Sequence, residues 1–171
     1  MTNLHVPQSI PGPVAIDTVD LDDLRRACAS YIEQLQRLVT VDAATMHIVA
    51  IAGDKLDAII MPAALGQRVW TMLANEMAAG PTIAGPGPSR WTILTECQPR
   101  ARPSCPAGLR RAGVTLVPRG SAIILPSSRD TTASYTWVHP PRLSRQLPVW
   151  SRVMTTAGRI VAAQPDAKRA S

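Results

Sequence analysis

Two serines and a histidine are the residues of this chain whose types could support nucleophilic catalysis. Ser127 and Ser128 follow an apolar run, and His139 lies eleven residues after Ser128. A serine nucleophile needs a base within hydrogen-bond reach, and the hydrolase elbow also needs a G-x-S-x-G turn. Neither serine has that turn around it. We therefore interpret the three as common residue types that happen to be near one another, and we predict no catalytic residue.

Possible metal ligands are few and scattered. Asp54 and Asp57 flank a turn beside apolar runs and could hold one divalent cation, although solvation of the turn explains them more simply. The three histidines, His5, His47 and His139, are far apart in the sequence, and His47 sits in an apolar run typical of a buried strand. We expect neither a metal ion nor another cofactor.

The cysteine content indicates free thiols. The chain has three cysteines, Cys28, Cys97 and Cys105, which is too few for a disulfide framework, and no C-x-x-C pair suits zinc. Cys97 and Cys105 could bridge the proline-rich loop between them, but a reducing cytosol disfavours that. The N-terminus lacks a signal-peptide pattern and no apolar run is long enough for a membrane span, so we expect a cytoplasmic protein without a membrane partner.

The basic residues suggest a partner. Residues 1–80 hold five Lys+Arg against nine Asp+Glu, a net charge of −4, whereas residues 81–171 hold thirteen against three, a net charge of +10. A basic half could attract a polyanion such as DNA or RNA. Only two of the eighteen basic residues are Lys, so the arginine bias of a GC-rich genome is an alternative explanation. The candidate nucleic-acid-binding residues are Arg90, Trp91, Arg100, Arg102, Arg110, Arg111 and Arg119.

The Gly85-Pro-Gly-Pro88 segment resembles a phosphate-binding loop only in its glycine content. It fits neither G-x-x-x-x-G-K-[ST] nor G-x-G-x-x-G, and its prolines lack the backbone N–H donors that a phosphate needs. We predict a rigid hairpin turn between strands at 82–84 and 90–95.

The periodicity of apolar residues predicts an α+β fold with a mixed, largely antiparallel sheet packed by about three helices. An extended arm over 1–19 and a disordered tail over 164–171 flank a single domain, 20–163. We predict helices over 20–39, 63–79 and 148–162, with a short helix at 107–112. The strands 46–52 and 57–61 should form an antiparallel hairpin, joined in the sheet by 90–95 and 121–125. We expect one core, in which Ile124→Asp would unfold the domain.

Three sequence segments resemble a known family. Gly80-Pro-Thr-Ile-Ala-Gly-Pro-Gly87, Gly120-Ser-Ala-Ile-Ile-Leu-Pro-Ser-Ser128 and Tyr135-Thr-Trp137 are similar to the second half of the bifunctional primase/polymerase domain, within the archaeo-eukaryotic primase superfamily. The resemblance covers about 57–141. It implies an RRM-related fold, and a family chemistry that requires a D-x-D pair, a histidine and a further acid around two metal ions.

This chain departs from the family at those ligand positions. The strand expected to carry D-x-D holds Ile60 and Met61, the histidine strand reads Ser89-Arg-Trp-Thr92, and the strand of the third acid holds Thr115. We therefore predict a degenerate, non-catalytic primase/polymerase-like domain that binds nucleic acid or a nucleotide through its basic C-terminal half. The alternative is a protein–protein interaction module, such as a homodimer, with no nucleic-acid role.

Overall fold

The computed structural model describes residues 18–53, 55–87, 89–97, 104–127, 135–143 and 146–163. The predicted tail and nearly all of the predicted arm lie outside these residues, as do Asp54, Ser128, Arg100 and Arg102. None of the helices in the described ranges has the length and apolar composition that a membrane crossing requires.

Helices and strands alternate irregularly along the chain. The helices are α1 (Thr18–Leu35), α2 (Ala63–Asn75), α3 (Ala107–Arg111) and α4 (Trp150–Ala162). The strands are β1 (Val39–Asp42), β2 (His47–Ile51), β3 (Asp57–Pro62), β4 (Thr82–Ala84), β5 (Arg90–Thr95), β6 (Thr115–Leu116), β7 (Ala122–Leu125) and β8 (Thr136–His139).

The strands form two antiparallel sheets, which confirms the predicted α+β class. Sheet A has the order β1-β2-β7, and sheet B has the order β6-β3-β5-β4-β8. The predicted hairpin between 46–52 and 57–61 is wrong, because β2 pairs with β1 and β7 whereas β3 pairs with β5 and β6. The turn at Gly53 therefore carries the chain from one sheet to the other.

Sheet B separates two hydrophobic clusters, so the prediction of one core is also wrong. The inner core lies between the two sheets and α1, and includes Ile48, Ile123 and Leu94. The helix core lies between sheet B and the helices α2, α3 and α4. Neighbouring residues of β3 divide between the cores, Ala58 in the first and Ile59 in the second, because successive side chains of a strand point to opposite faces.

The first helix ends earlier than predicted. Gln36 has a φ of 51°, in the left-handed region that a continuing helix does not use, and β1 begins three residues later, at Val39. Val39, Thr40 and Val41 are β-branched and favour a strand. Asp42 then fixes the turn to β2, because its carboxylate accepts hydrogen bonds from the Ala44 N–H at 3.0 Å and the Thr45 hydroxyl at 2.8 Å.

The predicted hairpin around the Gly-Pro segment is confirmed. β4 and β5 pair antiparallel with Ala84 opposite Trp91, and the Gly85 N–H donates to the Arg90 carbonyl at 3.2 Å. Gly85 and Gly87 have positive φ values of 135° and 81°, which other residues adopt poorly. This hairpin places the start of β5, with Arg90, at the same end of sheet B as Pro62.

Candidate nucleic-acid interface

Two of the predicted binding residues lie together on α3. Arg110 and Arg111 are both exposed, and Pro106 precedes the helix as its N-cap. Among the described residues, neither forms an ion pair with an acid. The two guanidinium groups are therefore available to an anionic ligand. We call Arg110 and Arg111 the α3 arginine pair.

Arg90 lies beside the end of α3 but is held by the protein itself. Its Nη2 donates to the Gly113 carbonyl at 2.9 Å, and the residue is half-buried. Gly113 follows the helix with a φ of 82°, and an added Cβ there would lie 3.0 Å from Pro62 Cγ. Arg90 thus joins β5 to the loop after α3 and adds positive charge near the α3 arginine pair.

Trp91, predicted as a base-stacking residue, lies in the protein interior. Only 8% of its surface is exposed, and its ring meets His139 edge-on with centroids 6.0 Å apart. α2 approaches the indole closely at Gly66, where an added Cβ would lie 3.0 Å from Trp91 Cε3. The indole therefore has a structural role, and a ligand on the surface could not stack on it without opening this contact.

Arg119 lies at the opposite end of sheet B. Its side chain packs against Gly53 so closely that a Cβ added at Gly53 would clash with Arg119 Cγ. The Nη2 of Arg119 also lies 3.7 Å from Cys97 Sγ. Gly53 and Cys97 lie beyond the Asp57 end of β3, whereas Gly113 lies at the Pro62 end. Asp57 and Pro62 are five residues apart in β3, which corresponds to about 17 Å along the strand. The structure therefore brings Arg90, Arg110 and Arg111 to one region and places Arg119 elsewhere.

The positions that the predicted resemblance assigns to metal ligands are adjacent in sheet B. Ile60 pairs with Thr115 of β6 on one side and Thr92 of β5 on the other, and Met61 pairs with Trp91. Met61 is fully buried in the helix core. No group of three His, Cys, Asp or Glu side chains that could hold a metal occurs among the described residues.

The remaining candidates for chemistry are held in structural contacts. His139 stacks on Trp70 with ring centroids 3.5 Å apart, and burial lowers its pKa from 6.5, with a smaller effect from Arg142. Cys28, Cys97 and Cys105 are half-buried thiols, and none of the three is in a disulfide. Burial raises the pKa of Cys28 and of Cys105, which makes both less nucleophilic.

Sequence reasoning missed a groove between α3 and α4 with a volume of about 690 Å³. Its walls include Leu109, Trp150 and Met154, and Arg111 lies on it. The α4 stripe of Trp150, Met154 and Val161 follows helical periodicity, and the sequence assigned these residues to the core without marking Gly158 between them. The short helix α3, which covers only part of this stripe, creates the groove.

Comparison with protein-family models, with curated proteins and with solved structures found no match for this chain. The resemblance to the primase/polymerase domain therefore stays a prediction that depends on the short motifs alone.

Proposed function

We propose that this is a non-catalytic, primase/polymerase-like domain that binds nucleic acid or nucleotide phosphate through the α3 arginine pair. The observation that carries the proposal is that Arg110 and Arg111 are consecutive, exposed and without an acidic partner among the described residues. Guanidinium groups match phosphate oxygens in geometry and keep their charge at any physiological pH.

Three arginines of α1 and α4 offer a contrast, whereas Arg68 and Arg159 are exposed and, like the α3 pair, form no ion pair with an acid among the described residues. Arg25 and Arg26 of α1 are also consecutive and exposed, but each forms an ion pair with an acid one turn away, Asp22 and Asp23. Arg152 of α4 pairs with Glu76 at 2.9 Å. The α3 pair lies in the half of the chain with a net charge of +10, where acids are scarce. A phosphate group would therefore meet little local competition at α3.

The proposed mode of binding is contact with phosphates rather than with bases. Trp91 is buried, so base stacking on it is not part of the mechanism. Contacts to phosphate carry no sequence information and depend strongly on salt. Hydrophobic side chains and threonines occupy the strand positions where metal-dependent nucleotidyl transfer would need acids, so the domain would bind without catalysing transfer.

Fluorescence anisotropy with labelled single-stranded and double-stranded oligonucleotides tests this proposal. We expect micromolar binding at low salt, and we expect the double variant Arg110→Ser/Arg111→Ser to lose about tenfold or more in affinity. Arg25→Ser/Arg26→Ser makes the same change in net charge on α1 and is the matched control, with an affinity close to that of the wild type. Equal losses in the two double variants would show that only overall charge matters.

A second function is favoured by the outer face of sheet A, the face turned away from the inner core. Val49 and Ile124 pair on this face, with only 6% of the Val49 surface exposed, and Ile51 lies two residues after Val49 with 47% of its surface exposed. Leu38 nearby is 80% exposed. An apolar sheet face of this kind is typical of a protein–protein interface, such as a homodimer.

Light scattering after size exclusion separates this second function from the first. A dimer that becomes monomeric on Leu38→Lys/Ile51→Lys, in a protein that binds no oligonucleotide, would establish the interaction module. A monomer that binds oligonucleotides would support the phosphate-binding function instead.

A further inference from the structure

The groove between α3 and α4 has the size and lining of a small-molecule site. Its volume of about 690 Å³ lies within the range usual for ligand pockets. Leu109, Trp150 and Met154 line it while each keeps only 4–7% of its surface exposed, so they form a firmly packed apolar wall. Trp150 and Met154 favour an aromatic ligand, because indole rings and thioether sulfur both make specific contacts with aromatic rings.

Two helical glycines leave the groove open. Gly108 of α3 and Gly158 of α4 both line it, and a Cβ added to either would meet no atom within 4 Å. Glycine inside a helix destabilises it relative to alanine, and neither position has a positive φ that would require glycine. Larger side chains would fit the backbone at both positions but would occupy the groove.

The charged residue in the groove lining favours an anionic ligand. Arg111 is the only charged residue among the described residues that line it, and no acid is among them. The hydroxyl groups of Ser151 and Thr155 provide further polar contacts. A ligand that combines an apolar body with one anionic group matches this lining.

We propose that the α3–α4 groove binds a small aromatic acid, with its rings against Leu109, Trp150 and Met154 and its carboxylate or sulfonate on Arg111. This site goes beyond the proposed function, because its ligand is a single small molecule and its apolar wall has no part in phosphate binding. The two functions share Arg111 and differ in every other residue.

Two fluorescent probes test the site: 1-anilinonaphthalene-8-sulfonate, which carries an anionic group, and N-phenyl-1-naphthylamine, which does not. We expect the natively folded protein to bind one molecule of the sulfonate, with a dissociation constant on the order of 10 µM. Arg111→Gln should raise the dissociation constant of the sulfonate by about tenfold and leave the binding of the uncharged probe unchanged. Arg110→Gln, the adjacent control outside the groove, should change neither.

Gly158→Leu tests the location of the site. The leucine should occupy the groove beside Trp150 and Met154 and strongly weaken binding of both probes, while the melting temperature stays the same or rises because leucine favours a helix more than glycine. The variant should still bind oligonucleotides, which separates this site from the phosphate-binding function. Absence of sulfonate binding to the wild type, or full binding to a folded Gly158→Leu variant, would overturn the proposal. If Gly158→Leu fails to fold, equal effects of Arg111→Gln and Arg110→Gln on the sulfonate would overturn it.

Discussion

Adjacent residues in β5 have different roles. Arg90 is half-buried and holds the Gly113 carbonyl, whereas Trp91 fills the space between α2 and His139. A sequence pattern of arginine followed by tryptophan fits both a surface that stacks bases and a strand with one buried face. The packing of α2 and His139 around the indole decides between them.

Trp91→Ala should therefore reduce stability and leave binding intact. Removing a buried indole costs about 3–5 kcal/mol of unfolding free energy, since a cavity remains. Urea denaturation measures that loss, and anisotropy with an oligonucleotide, under conditions where the variant is folded, should give an affinity close to that of the wild type. A variant with normal stability and weakened single-strand binding would instead indicate that Trp91 contacts the nucleic acid.

His139 makes stability depend on pH. Its Nε2 is buried and has no hydrogen-bond partner among the described residues, and burial holds the pKa of His139 below the ordinary value of 6.5. The unfolded chain therefore binds a proton more readily than the folded protein, so this residue's contribution to stability is present above pH 6.5 and is lost as the pH falls below it.

His139→Phe should remove that part of the pH dependence. Phenylalanine keeps the stacking on Trp70, carries no proton and leaves no polar atom without a partner. We expect the variant to be at least as stable as the wild type near neutral pH, and to lose less stability on acidification toward pH 5. Melting curves over this pH range provide the measurement, and identical slopes for both proteins would contradict the assignment.

At the scale of elements, β7 shows what alternation predicts and what it leaves open. Ile123 and Leu125 lie in the inner core, whereas Ile124 between them pairs with Val49 on the outer face of sheet A. The strand itself was predicted correctly. The expectation that Ile124→Asp would unfold the domain chose the wrong face, because an apolar run gives no alternation by which to assign faces.

Ile123→Asp, rather than Ile124→Asp, should prevent folding. Ile123 is 4% exposed, so the substitution places an unpaired charge in the inner core at a cost of several kcal/mol. Ile124→Asp, the neighbouring control, should fold with a smaller loss of stability because its side chain is only half-buried. Circular dichroism and thermal melting of both variants distinguish the faces, and equal losses would contradict the register of β7.

The helices and the Gly-Pro hairpin could be predicted because their signals are local. The apolar stripe of α2 and the glycines of the β4–β5 turn act within a few residues. The division of the strands into two sheets could not be predicted from the sequence, because the turn at Gly53 is equally compatible with a hairpin and with a crossing between sheets. β1 was missed because Leu35 and Leu38 continue the helical spacing of α1, although only Leu35 is buried.

At the scale of the whole molecule, sheet B provides the frame for the candidate site. β3 and β5 run side by side, with α3 and Arg90 near one end and Arg119 at the other. The sequence could predict that the second half is basic. It could not predict that the arginines divide between the two ends of the sheet, since that division depends on pairing between distant strands. The charge near α3 is consequently smaller and more local than the net charge of +10 suggests.

The salt dependence of oligonucleotide binding tests the central claim most directly. Each phosphate neutralised by an arginine contributes about 0.9 to the slope of log affinity against log salt concentration on duplex DNA. We predict a steep, linear fall in wild-type affinity between about 50 and 200 mM salt, and a slope shallower by about two in Arg110→Ser/Arg111→Ser. Arg25→Ser/Arg26→Ser should keep the wild-type slope. A wild-type protein that binds no oligonucleotide at low salt, or an unchanged slope in the α3 variant, would contradict the claim that the α3 arginine pair binds phosphate.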